Sequence, residues 1–393
     1  MDGVEHTQLG SEEDRSEDLQ TPIRFLFVCT ARVVSGLEIV TLNLMRRLKD
    51  LGHQVHCLTH EWADPGFTHQ LEESGIAYST FDLGWIFLRH PIWTVHGLKA
   101  LPGAMRVFES VCREFQPDAV VHSVYHSIVM LSAVRSQLTV LHAHDAHVPS
   151  LKHRFIYALV NRRIGLAIAP SQFVAGALRS LGLSSRKICV VHNGVPVPAH
   201  EHAGPAQGDE ARIAIVGQVG AGKGHSTLLH AFSALVDAGC QARLLIFGSG
   251  SRESRHALEV QIQELGLQGL VDWKGFVPNH EEIYAQADIV VVPSLRPEAF
   301  GLTALESGIR GIPVVAAGHG GLAETIIDGR TGLLFAPGSA EDLAQKLKTL
   351  ILDPSLRREI GAAAREHALA KFTDRIMVAR FVESVRTRLT RMS

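Results

Sequence analysis

The sequence predicts an α/β protein built from two doubly wound, Rossmann-like domains that face each other across a cleft. Short β-branched runs alternate with helical periods from Arg24 onward, a polar stretch rich in Pro, Gly and His interrupts the alternation midway, and the alternation then restarts. The 393 residues suffice for two to three domains at roughly 150 residues each.

Residues 1–21 carry Asp2, Glu5, Glu12, Glu13, Asp14, Glu17 and Asp18 against Arg15 and have no apolar core. They read as a disordered acidic tail, not a signal peptide. The first domain is read over 22–195. Arg24 to Thr30 (RFLFVCT) is a buried strand, and Glu38 to Leu51 sets Ile39, Leu42, Leu44, Met45 and Leu48 on one helical stripe. Gly52 ends that helix before the strand Gln54 to Thr59. Further strands are expected at Ala119 to His122, Thr139 to Ala143, Ala167 to Pro170 and Lys187 to Val191. Residues 196–211 (PVPAHEHAGPAQGDEA) are the linker. The second domain, 212–373, has strands at Arg212 to Val216, Ala242 to Phe247, Val271 to Lys274, Ile289 to Val292 and Pro313 to Ala316, and 374–393 is strongly helical. Repeated βα units imply parallel sheets covered on both faces, with ligands outside the strands' carboxyl ends.

Composition narrows the function. Hydrophobic residues at 46% and charged ones at 20% exclude a largely disordered or fibrous chain. Lys plus Arg number 38 against 40 Asp plus Glu, a net charge of −2, so nucleic acid is not the expected partner. Five scattered cysteines without a CxxC pair fit a reduced, cytoplasmic setting. Charge interrupts every apolar run, as Arg89, His90 and Lys99 do between Leu83 and Met105, so no membrane span is expected.

The segment Arg296 to Glu306 (RPEAFGLTALE) follows the strand that ends at Ser294. A helix opening near Phe300 or Gly301 turns free amides and a positive dipole end into the cleft, which suits a phosphate. Glu298 and Glu306 lie eight positions apart, roughly 12 Å if the whole stretch were helical. Carboxylates accept hydrogen bonds from adjacent hydroxyls, so one suits a sugar and the other a ribose. The alternative for two such glutamates alone is a first-turn carboxylate and a solvated face residue. Upstream, Gly217 to Ser226 resembles a Walker A loop, but Gly224 follows Lys223 where that motif needs Ser or Thr for magnesium. Nor is it a dinucleotide fingerprint, because His225 occupies the third glycine position. A glycine turn that presents Lys223 to a phosphate remains.

On these residues, from about Arg24 to Thr390, the chain resembles a family 4 retaining glycosyltransferase (glycosyl transferases group 1) of the GT-B fold. The resemblance rests on Glu298-AFGLTAL-Glu306, on SGIRGIPVVAAGHGGLAETI and DGRTGLLF after it, on Gly217 to Gly224 with Lys223, on Pro293-Ser294, on Asn193-Gly194-Val195 and on Ser35-Gly36-Leu37-Glu38. It implies that Lys223 contacts the donor diphosphate, Glu306 the ribose and Glu298 the transferred sugar. It also implies that amides from Phe300 through Gly301 and Leu302 to Thr303 hold the distal phosphate, that Gly36 lets the opposite domain approach it, and that Gly275 to Val277 cradles the base. His144 falls where the family places a histidine near the donor sugar, and the C-terminal helix is implied to cross back to the first domain. Gln218 stands where the family usually has Arg and cannot supply its charge.

The implied reaction moves a sugar from a nucleoside diphosphate sugar to an acceptor hydroxyl with retention, front-face attack and no metal or other cofactor. The acceptor is a glycan, a lipid-linked molecule or a small molecule. The alternatives are a nucleotide-sugar epimerase of the same fold and a non-catalytic nucleotide-sugar-binding subunit. His142, His144, Asp145 and His147 could suggest a metal site, but no ligand motif accompanies them and none is expected. His122, His126 and His319 are cleft candidates without an assigned role, and Glu324 is expected to begin a helix. Lys152 to Arg163 reads as a core helix with solvated basic ends, the other reading being peripheral contact with an anionic membrane surface, to which the aromatic run Trp85 to Trp93 would add.

Overall fold

The computed structural model describes residues 21–29, 36–83, 91–131, 137–198, 210–220 and 222–392. The acidic tail up to residue 20, Ser35, Trp85 and most of the expected linker lie outside the described residues.

Seven strands form the first sheet: β1 (Arg24–Cys29), β2 (Gln54–His60), β3 (Ala77–Phe81), β4 (Ala119–His122), β5 (Leu138–His142), β6 (Leu166–Ala169) and β7 (Ile188–Val190). Their order is β3-β2-β1-β4-β5-β6-β7, and every pairing is parallel. Alternation along the strands sends Phe25, Phe27, Val121, Val140 and Ile168 into one core and Leu26, Val28, Val120 and Leu141 into those on the other face. The second sheet comprises β8 (Ala211–Val216), β9 (Ala242–Phe247), β10 (Val271–Gly275), β11 (Ile289–Val292), β12 (Val314–Ala317) and β13 (Leu333–Phe335) in the parallel order β10-β9-β8-β11-β12-β13. It too is covered on both faces.

The chain crosses between the domains twice at one place. Val195 pairs with Thr373, its amide donating to Phe372 O at 2.9 Å while Asp374 N donates to Val195 O at 3.0 Å. A Cβ on Gly194 would collide with the Thr373 carbonyl, so these two connections need a glycine to lie side by side. The final helix, Asp374–Thr390, then packs Met377, Val378, Phe381 and Val385 into the core of the first sheet, and Arg47 Nε donates to Asp374 at 2.7 Å.

The expected strands recur with ends moved by a residue or so. Two edge strands were not expected. Ala77–Phe81 is mostly exposed or half-buried, so it has no apolar run, and Leu333–Phe335 is only three residues long. In the first helix, Gly36–Asp50, Val40 takes the buried place expected of Ile39, which is half-buried. The helix Leu151–Arg163 corrects a larger expectation: only Tyr157 and Val160 are buried, so it lies on the surface and is not a core helix.

Candidate functional site

β8 and β11 are neighbours where the order of the second sheet reverses, so the loops leaving them lie side by side at the place where open parallel sheets bind ligands. The β8 loop delivers Lys223 and the β11 loop Glu298, and Lys223 Nζ donates to Glu298 Oε1 at 2.8 Å. Ser294 Oγ donates to the same oxygen at 2.5 Å and fixes the carboxylate. Leu295 N donates to Gly222 O at 2.9 Å, tying the loops together. Gly224 sits at φ 73°, and a Cβ there would strike the Pro293 carbonyl. The Lys223 side chain is 47% exposed and that of Glu298 19%. An ion pair so exposed contributes only about 0–1 kcal/mol, so an incoming anion can take the lysine at little cost.

The helix after Glu298 runs from Leu302 to Gly308, one residue later than expected, with Gly301 as its cap at φ 95°. A helix leaves its first amides without intrahelical partners, which puts those of Leu302 and Thr303 at its open end. Phe300 is buried, its ring stacked on His192 at 5.6 Å, and Leu302 packs against the first domain's core and the junction cluster of Val195, Phe300, Leu305 and Phe372. Both can therefore offer a ligand only their backbone. A Cβ on Gly36 would stand 3.5 Å from Leu302 Cδ1, so the first helix of the opposite domain opens against the start of this one.

Glu306 is not a solvated face residue. Tyr284 Oη donates to its Oε2 at 2.8 Å, His280 Nδ1 lies 3.4 Å from its Oε1, and the guanidinium of Arg310 lies 4.6 Å from the centre of the Tyr284 ring. The hydrogen bond to Glu306 raises the His280 pKa above its ordinary 6.5, against the lowering effect of burial. This pair is stabilising while His280 is protonated, fully so below 6.5, and is lost as pH rises through the raised pKa. A nuclear magnetic resonance titration of His280 should give a midpoint above 6.5 that drops in Glu306→Gln, where burial and Arg310 lower it and Glu281 alone still raises it. A midpoint unmoved by Glu306→Gln would break the link between them.

His144 lies two residues past β5, with its ring 4.1 Å from that of His142. Burial, and then His142, lower its pKa well below 6.5, so it is neutral at pH 7. Its Nε2 is buried with no hydrogen-bond partner among the described residues. No hydrogen bond among them brings it to the Lys223–Glu298 pair. Val277 is half-buried against the second domain's core, just beyond Gly275, whose carbonyl accepts from Gly248 N at 2.7 Å. Gln218 is exposed. His319 Nε2 pairs with Ser294 O at 2.8 Å, and His122 is buried against Ser127. Among the described residues, no group of three His, Cys, Asp or Glu is placed to hold a metal ion.

The sequence reading missed an interdomain clasp. Glu324 was expected only to begin a helix; it lies in the first turn of the short helix Leu322–Thr325, which Gly321 opens, and its two oxygens accept from Gln172 N and Phe173 N, each at 2.7 Å, at the first turn of the opposite domain's helix Gln172–Ser180. Ser171 Oγ, which caps that helix, also donates to Ala299 O at 2.7 Å, beside Glu298. Gly321 N donates to Glu298 O at 2.7 Å, and a Cβ on Gly320 or Gly321 would meet the Glu298–Phe300 backbone. The clasp and the Glu298 loop are thus one packed unit. Pro170-Ser171 after a strand signals a cap, but no local pattern names its partner in another domain.

Two parallel-sheet domains joined by a double crossing, with a cationic loop and a carboxylate loop meeting at a switch point, define a GT-B protein. The family description Glycosyl transferases group 1 matches residues 198–367, and Glycosyltransferase Family 4 matches 34–197. The chain belongs to these family 4, group 1 glycosyltransferases. It is 40% identical over 162 residues to a D-inositol 3-phosphate glycosyltransferase of Corynebacterium aurimucosum, covering 40% of this chain and 38% of that protein. To a 2-deoxystreptamine glucosyltransferase of Streptomyces kanamyceticus it is 29% identical, covering 53% of this chain and 57% of that one. The chain therefore spans roughly two-fifths to three-fifths of the length of these two relatives. Anabaena HepE, solved in complex with UDP-glucose, superposes with a TM-score of 0.78 at 22% identity over 93% of this chain and 100% of that one.

Proposed function

We propose that this chain is a retaining glycosyltransferase that moves a sugar from a nucleoside diphosphate sugar to an acceptor hydroxyl without a metal. The observation that carries the reading is the Lys223–Glu298 pair, 2.8 Å apart beside the open start of the Leu302–Gly308 helix. A cation and unpaired helix amides are the donors a diphosphate needs, and a carboxylate fixed by Ser294 is available for the sugar.

As the donor enters, the diphosphate takes the ammonium of Lys223 and the amides of Leu302 and Thr303. The Glu298 carboxylate, released from the lysine but still held by Ser294, accepts hydrogen bonds from the sugar. Glu306, oriented by Tyr284, accepts from the ribose. The sugar–oxygen bond to the diphosphate then breaks. Charge that develops on the departing oxygen meets donors already in place, while Glu298 supports the positive character of the sugar. The acceptor oxygen attacks from the leaving group's own face and its proton passes to the departing phosphate oxygen, which preserves configuration. The acceptors that name two of the related enzymes, D-inositol 3-phosphate and 2-deoxystreptamine, differ from each other and assign none here.

UDP-glucose, held by HepE, is the first donor to test, followed by GDP and ADP sugars, each with an acceptor panel. Turnover is expected to need an acceptor, to survive a chelator and to give a product with the donor's anomeric configuration. Inversion would overturn the mechanism, strong chelator inhibition the metal independence, and donor consumption without acceptor would favour the epimerase reading.

A further inference from the structure

We infer that the helix Leu151–Arg163, with the loop before it, docks this protein on an anionic lipid bilayer. Three of the four most exposed large hydrophobic side chains among the described residues fall within eight positions: Leu151 at 88%, Val148 at 79% and Phe155 at 68%. Single exposed apolar residues are ordinary, but a cluster of bulky ones marks an interaction surface.

Helical spacing puts Leu151, Phe155, Ala158 and Arg162 on one outward face, with Lys152 and Arg154 beside it, while Tyr157 and Val160 anchor the opposite face. No carboxylate pairs with Lys152, Arg154 or Arg162 among the described residues. The surrounding sequence exaggerates the asymmetry. Between Asp145 and Glu201 there are seven Lys and Arg and no Asp or Glu, in a chain whose net charge is −2. A stretch with cations and no acids suits a negatively charged partner.

The apolar residues choose among such partners. A polyanionic chain rewards cations but gives exposed Leu151 and Phe155 nothing, whereas a bilayer attracts the cations at its headgroups and takes the apolar tips below them. No described helix is long and apolar enough to cross a membrane, so this is a surface contact. Its placement matters, because the loop that carries Val148 also carries His144 and leaves the carboxyl end of β5, at the edge where the cleft opens. Docked this way, the cleft would take an acceptor anchored in the bilayer. That corollary rests on the transferase reading; the docking does not.

Cosedimentation of the full chain with phosphatidylcholine vesicles, with and without phosphatidylglycerol, tests this without any donor. Binding is expected only to the mixed vesicles and to weaken with salt. Lys152→Gln with Arg154→Gln should weaken it by about 30-fold, at about fivefold per cation. Leu151→Ser with Phe155→Ser should also release the protein, and circular dichroism should show both exposed-residue variants folded. Failure to bind either vesicle, or equal binding to pure phosphatidylcholine, would overturn the inference. So would full binding by the Leu151→Ser, Phe155→Ser variant, which would leave the attraction to the cations alone and remove the ground for choosing a bilayer over any other polyanion.

Discussion

Lys223→Ala is expected to lower kcat/KM for the donor by roughly 100- to 1000-fold, or about 3–4 kcal/mol, the scale for removing one preorganised donor from a developing oxyanion. Lys223 is the one cation that the β8 loop brings to Glu298, and Gln218, where the family usually has Arg, is exposed and uncharged. The loop itself supplies no other charge, and Arg296, whose side chain lies against Gly222, is a cation left beside it. The fold should survive, since the side chain is 47% exposed and its pair with Glu298 is of the weakly stabilising kind. Thermal unfolding should shift by no more than the scatter of surface substitutions, about 0.5 kcal/mol. Glu298→Gln gives the complementary test. It keeps the shape and an oxygen for Ser294 but removes the negative charge beside the sugar, so kcat should fall more than donor affinity. If both variants turn over donor at the unmodified rate while remaining folded, neither residue belongs to the reaction centre.

Much of this site was legible because it rests on local geometry. A glycine-rich turn after one strand and RPEAFGLTALE after another are each short enough for spacing to fix what they present, and Lys223 does meet Glu298. The doubly wound fold was legible for a similar reason: central strands of a parallel sheet are buried on both faces and so read as apolar runs. Edge strands escape that rule, which is why Ala77–Phe81 and Leu333–Phe335 were not expected. The partners of Glu306 were also out of reach. Tyr284 and His280 arrive from another helix, more than twenty positions away, and only the folded sheet brings them to one carboxylate. The same limit applies more strongly to contacts between domains. Nothing near Glu324 in the chain announces two amides 151 and 152 positions away. The helix Leu151–Arg163 failed differently, since its apolar residues suggested a core position and only the structure turns Leu151 and Phe155 outward.

Glu324→Ala is expected to lower kcat/KM by about 100-fold without touching any group that contacts the donor. Each of its oxygens accepts a charge-assisted hydrogen bond from a helix amide at 2.7 Å, and such bonds contribute about 1.5–3 kcal/mol apiece. Together they hold the domains closed by about 3 kcal/mol or more, aided by the dipole of the Gln172–Ser180 helix. Without them the open arrangement gains population, and a donor that needs Gly36 against Leu302 binds only the closed fraction. Apparent donor affinity should therefore fall, and the radius of gyration from small-angle scattering should rise in the free protein and return when donor saturates it. Ser171→Ala should act in the same direction but more weakly, because a neutral hydroxyl on Ala299 O carries less than a carboxylate on two amides. Its second consequence is specific: the loop bearing Glu298 loses a tether, so kcat should fall along with affinity. Unchanged scattering and unchanged kinetics in Glu324→Ala would mean that the two domains are held by their apolar contacts alone, and that the clasp has no part in donor capture.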